Sequence, residues 1–350
     1  MTGQRPTIPQ VPLPVWRDLF AAALEFRTVK PWRWLDDNNV FALIDDDGCP
    51  WFPTVLGAAG LDFGLALHRG EPGLRFLFET SKTMEDSPQD ALYVQDALML
   101  DWGTKNQLGP EELSVLAELG HQPKARERNA WPFYRSHSPG WLPWHLVEME
   151  ARSLTHGIRA TLACAKLVRA DPDFFAPGEK DESLLPTLTM AATRSGKLTS
   201  DQVEWRQWLL PPPHSPGALV APAAWSEWLQ RPKNPSVVLE FDIFHTMMPT
   251  LDGNRPYFPR LGLVADSTSG FIYAMDLAAP ERTWADLVTT VLGKAFTSLG
   301  GRPTAIAIRR PEWVDALRPL TEKLDLKLKL VRELPMIDEA HEALLQQFGG

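Results

Sequence analysis

Residues 236–278 read SVVLEFDIFHTMMPTLDGNRPYFPRLGLVADSTSGFIYAMDLA. Three apolar runs separated by turn-forming residues make this stretch a meander of three strands. Within VVLEFDIF, residues 237–244, successive side chains point to opposite faces. Glu240, Asp242 and Phe244 share one face, and Leu239, Phe241 and Ile243 share the other. RLGLVADS is a nearly continuous apolar run, as expected of a strand covered on both sides. Asp252–Gly253 marks the first turn and Ser267–Gly270 the second, after which FIYAMDLA forms the partner strand. Three carboxylates, Glu240, Asp242 and Asp266, are thereby candidates for metal ligands.

Beyond the meander the pattern alternates between helix and strand. Thr283 caps a helix over WADLVTTVLGKAFTSLGG, with Asp286 three residues on, and Leu287, Val291, Leu292, Ala295, Phe296 and Leu299 form its apolar stripe. TAIAIRR reads as a short buried strand, Pro311 starts a second helix, and Pro319 is expected to kink or shorten it. LKLKLVREL alternates as a strand, and IDEAHEALLQQF is a last helix. Helical crossovers between the later strands require them to pair in parallel.

This order resembles the ribonuclease H-like fold of integrases and transposases, which also carry an acid in the first strand and a hairpin much like Leu263–Gly270. The resemblance covers residues 236–348. It implies two-metal phosphoryl transfer by acids in the first strand, at the end of the fourth strand and on the closing helix, converging on ions about 4 Å apart. Asp242 or Glu240 fits the first position, and Asp338, Glu339 or Glu342 the third. At the second position stand Arg309 and Arg310, and a guanidinium cannot ligate a metal. A pseudoenzyme without metal is therefore expected. The alternative is a magnesium-dependent nuclease or transposase relative using Asp242, Asp266 and Glu339 in an altered arrangement. As a whole the chain also resembles uncharacterised bacterial proteins carrying two domains of unknown function. That likeness rests on VWRDLFAAALEF with PWRWL, NAWPFYRSHSPGWLPW, RRPEW and ELPMIDEA.

Composition sets outer bounds. At 350 residues the chain is long enough for two or three cores. Its 32 prolines favour fixed turns, and its 14 tryptophans build cores or contact surfaces. The net charge is −9; residues 236–350 hold 12 Lys/Arg and 15 Asp/Glu, leaving 23 and 29 for the rest. Neither part has the basic excess that a polynucleotide backbone attracts, so nucleic acid is a disfavoured partner. The sequence singles out no partner; a protein or a small anion is open to it, and Arg309 and Arg310 at a strand's C-terminal end would suit an anion. For either arginine alone, pairing with Glu312 or another acid is the competing reading. Cys49 and Cys164 show no metal-ligand spacing. The segment MTGQRPTIPQVPLP has no apolar core, and no run approaches the roughly 18 apolar residues of a membrane span. A reducing cytoplasm is the expected location.

Upstream of the meander, VWRDLFAAALEF is an amphipathic helix stopped by Pro31, followed by a hairpin over WRWLDDNNVFALIDDDGCPWFPTVL. Asp45–Asp47 with Gly48 resembles a calcium loop, but its twelfth position is Leu56, so a turn is expected. Gly57, Gly60 and Gly64 are read as opening a helix packed closely on a sheet, their spacing fitting no phosphate-binding fingerprint. A strand follows at ALYVQDALMLDW, with Asp96 and Asp101 expected in solvent, then a helix from Pro110 to Gly120. The densest aromatic stretch, NAWPFYRSHSPGWLPWHL (129–146), is read as a Pro-rich connection. Trp131, Tyr134, Arg135, His137 and Trp144 are its candidate ligand contacts, and a small-molecule enzyme centred there is a further alternative. A helix over VEMEARSLTHGIRATLACAKLVR, a hairpin around Ser195–Gly196, a proline spacer LLPPPHSPG and a short helix AAWSEWLQ complete the pass. The expected organisation is a lead-in (1–13), an α+β domain (14–170), a Pro-rich connecting subdomain (171–235) and a ribonuclease H-like α/β domain with a mixed sheet (236–350).

Overall fold

The computed structural model describes residues 8–60, 62–83, 93–124, 126–127, 130–194, 198–210, 224–251 and 255–348. The turns expected at Ser195–Gly196 and Asp252–Gly253, most of the proline spacer and the first seven residues of the lead-in lie outside them. The chain forms two compact units, Met1–Leu210 and Pro211–Gly350, each a mixed α/β arrangement around its own mixed sheet. Among the described residues no helix is long and apolar enough to cross a membrane.

The first unit begins with α1 (Leu13–Val29), which buries Val15, Leu19, Phe20, Ala22, Ala23 and Phe26 at helical spacing and ends at Lys30, in the left-handed region, before Pro31. β1 (Ala42–Ile44) and β2 (Pro50–Leu56) form the expected hairpin. Its turn is closed by Asp45, whose carboxylate accepts the amides of Asp47 and Cys49, and by Gly48 at φ 81°. There follow β3 (Gly64–Arg69), α2 (Gly70–Thr83), β4 (Ala97–Gly103), α3 (Pro110–Glu118), β5 (Trp131–His137), α4 (Glu148–Ala170), α5 (Ala176–Lys180), β6 (Leu184–Thr189), α6 (Met190–Arg194) and β7 (Glu204–Gln207). The seven strands lie in the order β5-β4-β3-β2-β1-β6-β7; β1 and β6 pair in parallel and all other neighbours are antiparallel. β6 and β7, from the stretch expected to connect two domains, thus extend this sheet.

Three expectations change here. Gly64 starts a strand rather than a helix, because β4 approaches it so closely that a Cβ would lie 2.3 Å from the Leu100 carbonyl oxygen. The close helix-on-sheet contact is made instead by Gly157 of α4, where a Cβ would meet Leu67 Cδ2 at 2.7 Å. Residues 131–137 are a strand, not a connection. Pro132 is tolerated because β5 is an edge strand, where a missing amide hydrogen need not break a ladder. Ser136 and Trp144 then exchange backbone hydrogen bonds of 2.8 and 3.0 Å, folding the following segment back along that edge. Neither acid near β4 is simply solvated. Asp96 pairs with Arg69 at 3.1 Å, while burial first and then Asp62 push the Asp101 carboxyl up to about 6.

The second unit contains α7 (Ala224–Leu229), β8 (Val238–His245), β9 (Arg260–Asp266), β10 (Ile272–Ala278), α8 (Trp284–Leu299), β11 (Ala305–Ile308), α9 (Glu312–Lys323), β12 (Lys327–Leu330) and α10 (Pro335–Phe348). The sheet order is β10-β9-β8-β11-β12, with β8–β9 and β9–β10 antiparallel and β8–β11 and β11–β12 parallel. The alternation in β8 holds. Leu239, Phe241 and Ile243 join the core made with α8 and α9, while Phe244 faces α10 together with Leu261, Leu263 and Ala265 of β9. Thr283 accepts the Asp286 amide at 3.1 Å, as a helix N-cap should. Pro319 does not shorten α9. It lies on the exposed side of the helix, so the carbonyl it leaves unbonded, that of exposed Asp315, faces water.

Candidate functional site

β8 leads its acids into the interior because alternate residues must face the side covered by α10. The Asp242 side chain is only 2% exposed. Both of its oxygens are engaged: Arg309 Nε donates to Oδ2 at 2.6 Å, and Arg310 Nε donates to Oδ1 at 3.1 Å. The Asp242 Oδ1 also accepts the Ile243 amide at 2.8 Å. Arg309 reaches onward, its Nη1 donating to Asp338 Oδ1 at 2.6 Å, so one guanidinium bridges β8 and α10. Burial opposes the charge on Arg309, but Asp242 and Asp338 together outweigh it and hold its pKa above the ordinary value.

Glu240 lies two residues earlier on the same face and accepts the amides of Met336 at 2.9 Å and Ile337 at 3.1 Å. These are first-turn amides of α10, which lack partners within the helix. Burial raises the Glu240 pKa, and the two amide hydrogen bonds pull it partly back. The three groups that the sequence placed on separate elements therefore meet: first-strand acids Glu240 and Asp242, the arginines after β11, and Asp338 of the closing helix.

Asp266 and Glu339 are employed elsewhere. Asp266 accepts the amides of Thr268 at 2.9 Å and Ser269 at 2.8 Å, closing its own hairpin turn. Burial opposes its ionisation, but those hydrogen bonds hold its pKa below the ordinary value. Glu339 is exposed on α10, one position past the acid that joins the cluster. Among the described residues no three His, Cys, Asp or Glu side chains are grouped to hold a metal ion. The magnesium implied by the resemblance does not fit here, because guanidinium hydrogens already take both Asp242 oxygens and the second carboxylate is replaced by arginine.

The aromatic candidates of the first unit do not converge. Pro132, Tyr134 and Ser136 of β5 are buried, whereas Trp131, Phe133, Arg135 and His137 lie on the other, half-buried face. Trp131 Nε1 donates to Glu127 at 2.9 Å, and Arg135 pairs with Glu112. His137 is the cross-strand partner of Ala97. Trp144 stands edge-on to His145, at 5.2 Å between ring centres. Of the five candidates only Tyr134 lines the cavity of about 80 Å³ between α1, α3 and β5. Its hydroxyl has no partner among the described residues, and burial drives its pKa well above the ordinary value. Two further residues, His245 and Arg260, escaped the sequence reading. They sit at facing ends of β8 and β9, 15 positions apart along the chain, and only strand register brings them together.

Residues 16–185 match the model of a domain of unknown function, DUF7309, and residues 226–345 match that of a second, DUF6930. No curated protein matches the chain. Among solved structures, it is similar to a chain of the simian T-cell lymphotropic virus intasome in complex with PP2A regulatory subunit B56 gamma. That likeness has 17% identity and a TM-score of 0.26, over 34% of this chain and 45% of that one. It is also similar to the HTLV-2 integrase catalytic core domain in complex with magnesium (trimeric form), with 13% identity and a TM-score of 0.23, over 33% of this chain and 76% of that one. The chain thus spans less than half of the first of these, and its family-level likeness is to two domains of unknown function.

Proposed function

We propose that the second unit is a non-catalytic binding or regulatory module on a ribonuclease H-like scaffold, in which an arginine stands where a metal-binding carboxylate would. The observation that carries this reading is Arg309, bonded to Asp242 at 2.6 Å and to Asp338 at 2.6 Å. A divalent cation between those acids would have to displace a guanidinium that cannot lose its proton. The sheet supports the scaffold assignment: an antiparallel meander of three strands followed by two parallel strands, with helices on both faces. In this proposal residues 236–350 form that domain, and the α+β domain that begins at residue 14 runs on through β6 and β7, which shortens the connecting part expected at 171–235. A cytoplasmic location accords with the two unpaired cysteines, Cys49 and Cys164.

The test pairs metal binding with cleavage. Magnesium or manganese is titrated into the full chain while thermal unfolding is followed, and labelled DNA and RNA are assayed for cleavage. The expected result is no metal-dependent stabilisation and no cleavage sensitive to Asp242→Asn. Stabilisation or cleavage that disappears in Asp242→Asn would overturn the proposal in favour of a magnesium-dependent nuclease.

A further inference from the structure

In the second unit β10 and β8 are both antiparallel to β9, and β11 and β12 are parallel to β8. The C-terminal ends of β8, β10, β11 and β12 therefore share one edge of the sheet, together with the start of β9. Each of α8, α9 and α10 begins within six residues of one of these strand ends. Three helix N-termini, each carrying partial positive charge, thus gather along a single edge. The amides of α10 are occupied by Glu240, and α9 begins without a side-chain cap.

Two arginines, Arg260 and Arg310, stand at this edge with His245, which is neutral at pH 7, and the acids Glu281 and Glu312 lie beside them. His245 and Arg260 are cross-strand partners at the last position of the β8–β9 ladder. Arg260 is 6% exposed and lies over the Trp284 ring, 4.4 Å from its centre. Its Nη2 donates to the carbonyls of Ala279 at 3.1 Å, Pro280 at 3.4 Å and Arg282. Its Nε is buried without a partner, and no carboxylate among the described residues forms an ion pair with it. Glu281 acts on that charge through space without an ion-pair contact, so the Nε donor stays unmet and an arriving anion would add a nearer counter-charge. Arg310 is tied to Asp242 only through Nε and its side chain is 43% exposed, leaving its terminal nitrogens outside that bond. The local field agrees with this arrangement: burial first, then Arg260 and Arg310, hold the His245 pKa down to about 4.

We propose that this edge binds a small phosphate-bearing anion, contacted by Arg310 and His245 and held by the charge of the buried Arg260 behind them. The proposal rests on the reading of the second unit as a binding scaffold and names its ligand class. Of the amides that open α9, those of Trp313 and Val314 already bond to the Arg310 and Pro311 carbonyls, so the side chains carry the contact.

Inorganic phosphate and pyrophosphate are the probes, used with the full chain at constant ionic strength against chloride, and read by thermal unfolding and calorimetry. Phosphate is expected to stabilise the protein. Arg310→Gln is expected to weaken phosphate binding roughly tenfold or more, the effect of losing a charge-assisted hydrogen bond. Arg318→Gln, an equal charge change on the exposed part of α9, is expected to leave binding unchanged. Because Arg310 also holds Asp242, His245→Gln provides a second reading: it should fold and still lose affinity. Equal responses to phosphate and chloride, or equal losses in Arg310→Gln and Arg318→Gln, overturn the proposal. The metal titration of the preceding section is independent of this one, so a magnesium response would remove the arginine-for-metal reading while leaving the phosphate result to be judged by itself.

Discussion

Replacing Arg309 by Met should destabilise the second unit more than any other single exposed-to-half-buried substitution near the cluster. The side chain keeps an unbranched apolar stem but loses both ion pairs. Its contact with Asp338 joins groups that are 28% and 40% exposed, so that pair contributes only about 0–1 kcal/mol. The contact with Asp242 differs in kind, because that carboxylate is 2% exposed and would be left buried with one guanidinium fewer. Breaking a buried pair from one side typically costs about 3–5 kcal/mol, and the surviving Arg310 bond points to the lower end, about 3 kcal/mol. Asp242→Asn removes the buried charge instead and leaves two arginines that can turn toward water, so its effect should be smaller, about 1–2 kcal/mol. The two changes should also couple: with Asp242 neutralised, Arg309→Met should lose most of its effect. Ten of the 14 tryptophans lie in the first unit, so unfolding in urea is read in this one by amide hydrogen exchange of β8 and α10. A loss below about 1 kcal/mol in Arg309→Met, or full additivity with Asp242→Asn, would refute the view that Asp242 is a buried charge held by arginine.

Two further outcomes follow from the first unit. Asp101 has its folded pKa raised to about 6 from 3.8, so its contribution is fully present below the unfolded value and is lost as pH rises through 6. Asp101→Asn should therefore stabilise the protein above pH 7 by up to about 3 kcal/mol, and the gain should vanish as pH falls toward 4; thermal unfolding at several pH values checks both sign and window. Gly64→Ala and Gly157→Ala should both destabilise, but unequally. At Gly64 the new methyl meets a backbone carbonyl at 2.3 Å that cannot turn aside, whereas at Gly157 it meets the flexible end of Leu67 at 2.7 Å and gains helix propensity of about 1 kcal/mol. Equal denaturation midpoints for the two variants would contradict this.

Much of the second unit was legible because its signals are local. Alternation in residues 237–244, the continuous apolar run of β9 and the Thr283–Asp286 cap each depend on a few neighbouring side chains. Parallel pairing of the later strands followed from their helical connections, whereas the strand order came from the structure. The first unit was harder to read. Gly64–Arg69 is buried along nearly all its length, and such a run lacks the alternation that separates strand from helix. The edge position that lets Pro132 sit in a strand is likewise a property of the sheet and not of the peptide.

For the candidate site the division is similar. The sequence by itself determined that Asp242 faces the side opposite Leu239 and Phe241, and that arginine stands where the resemblance required an acid, since strand periodicity and residue identity are local matters. Only the tertiary structure decided that Asp338 rather than Glu339 completes the cluster, that Asp266 closes its own turn, and that His245 meets Arg260. Each of these depends on register and helix rotation, where a shift of one residue points a side chain the other way, and register is set by the packing of the whole sheet.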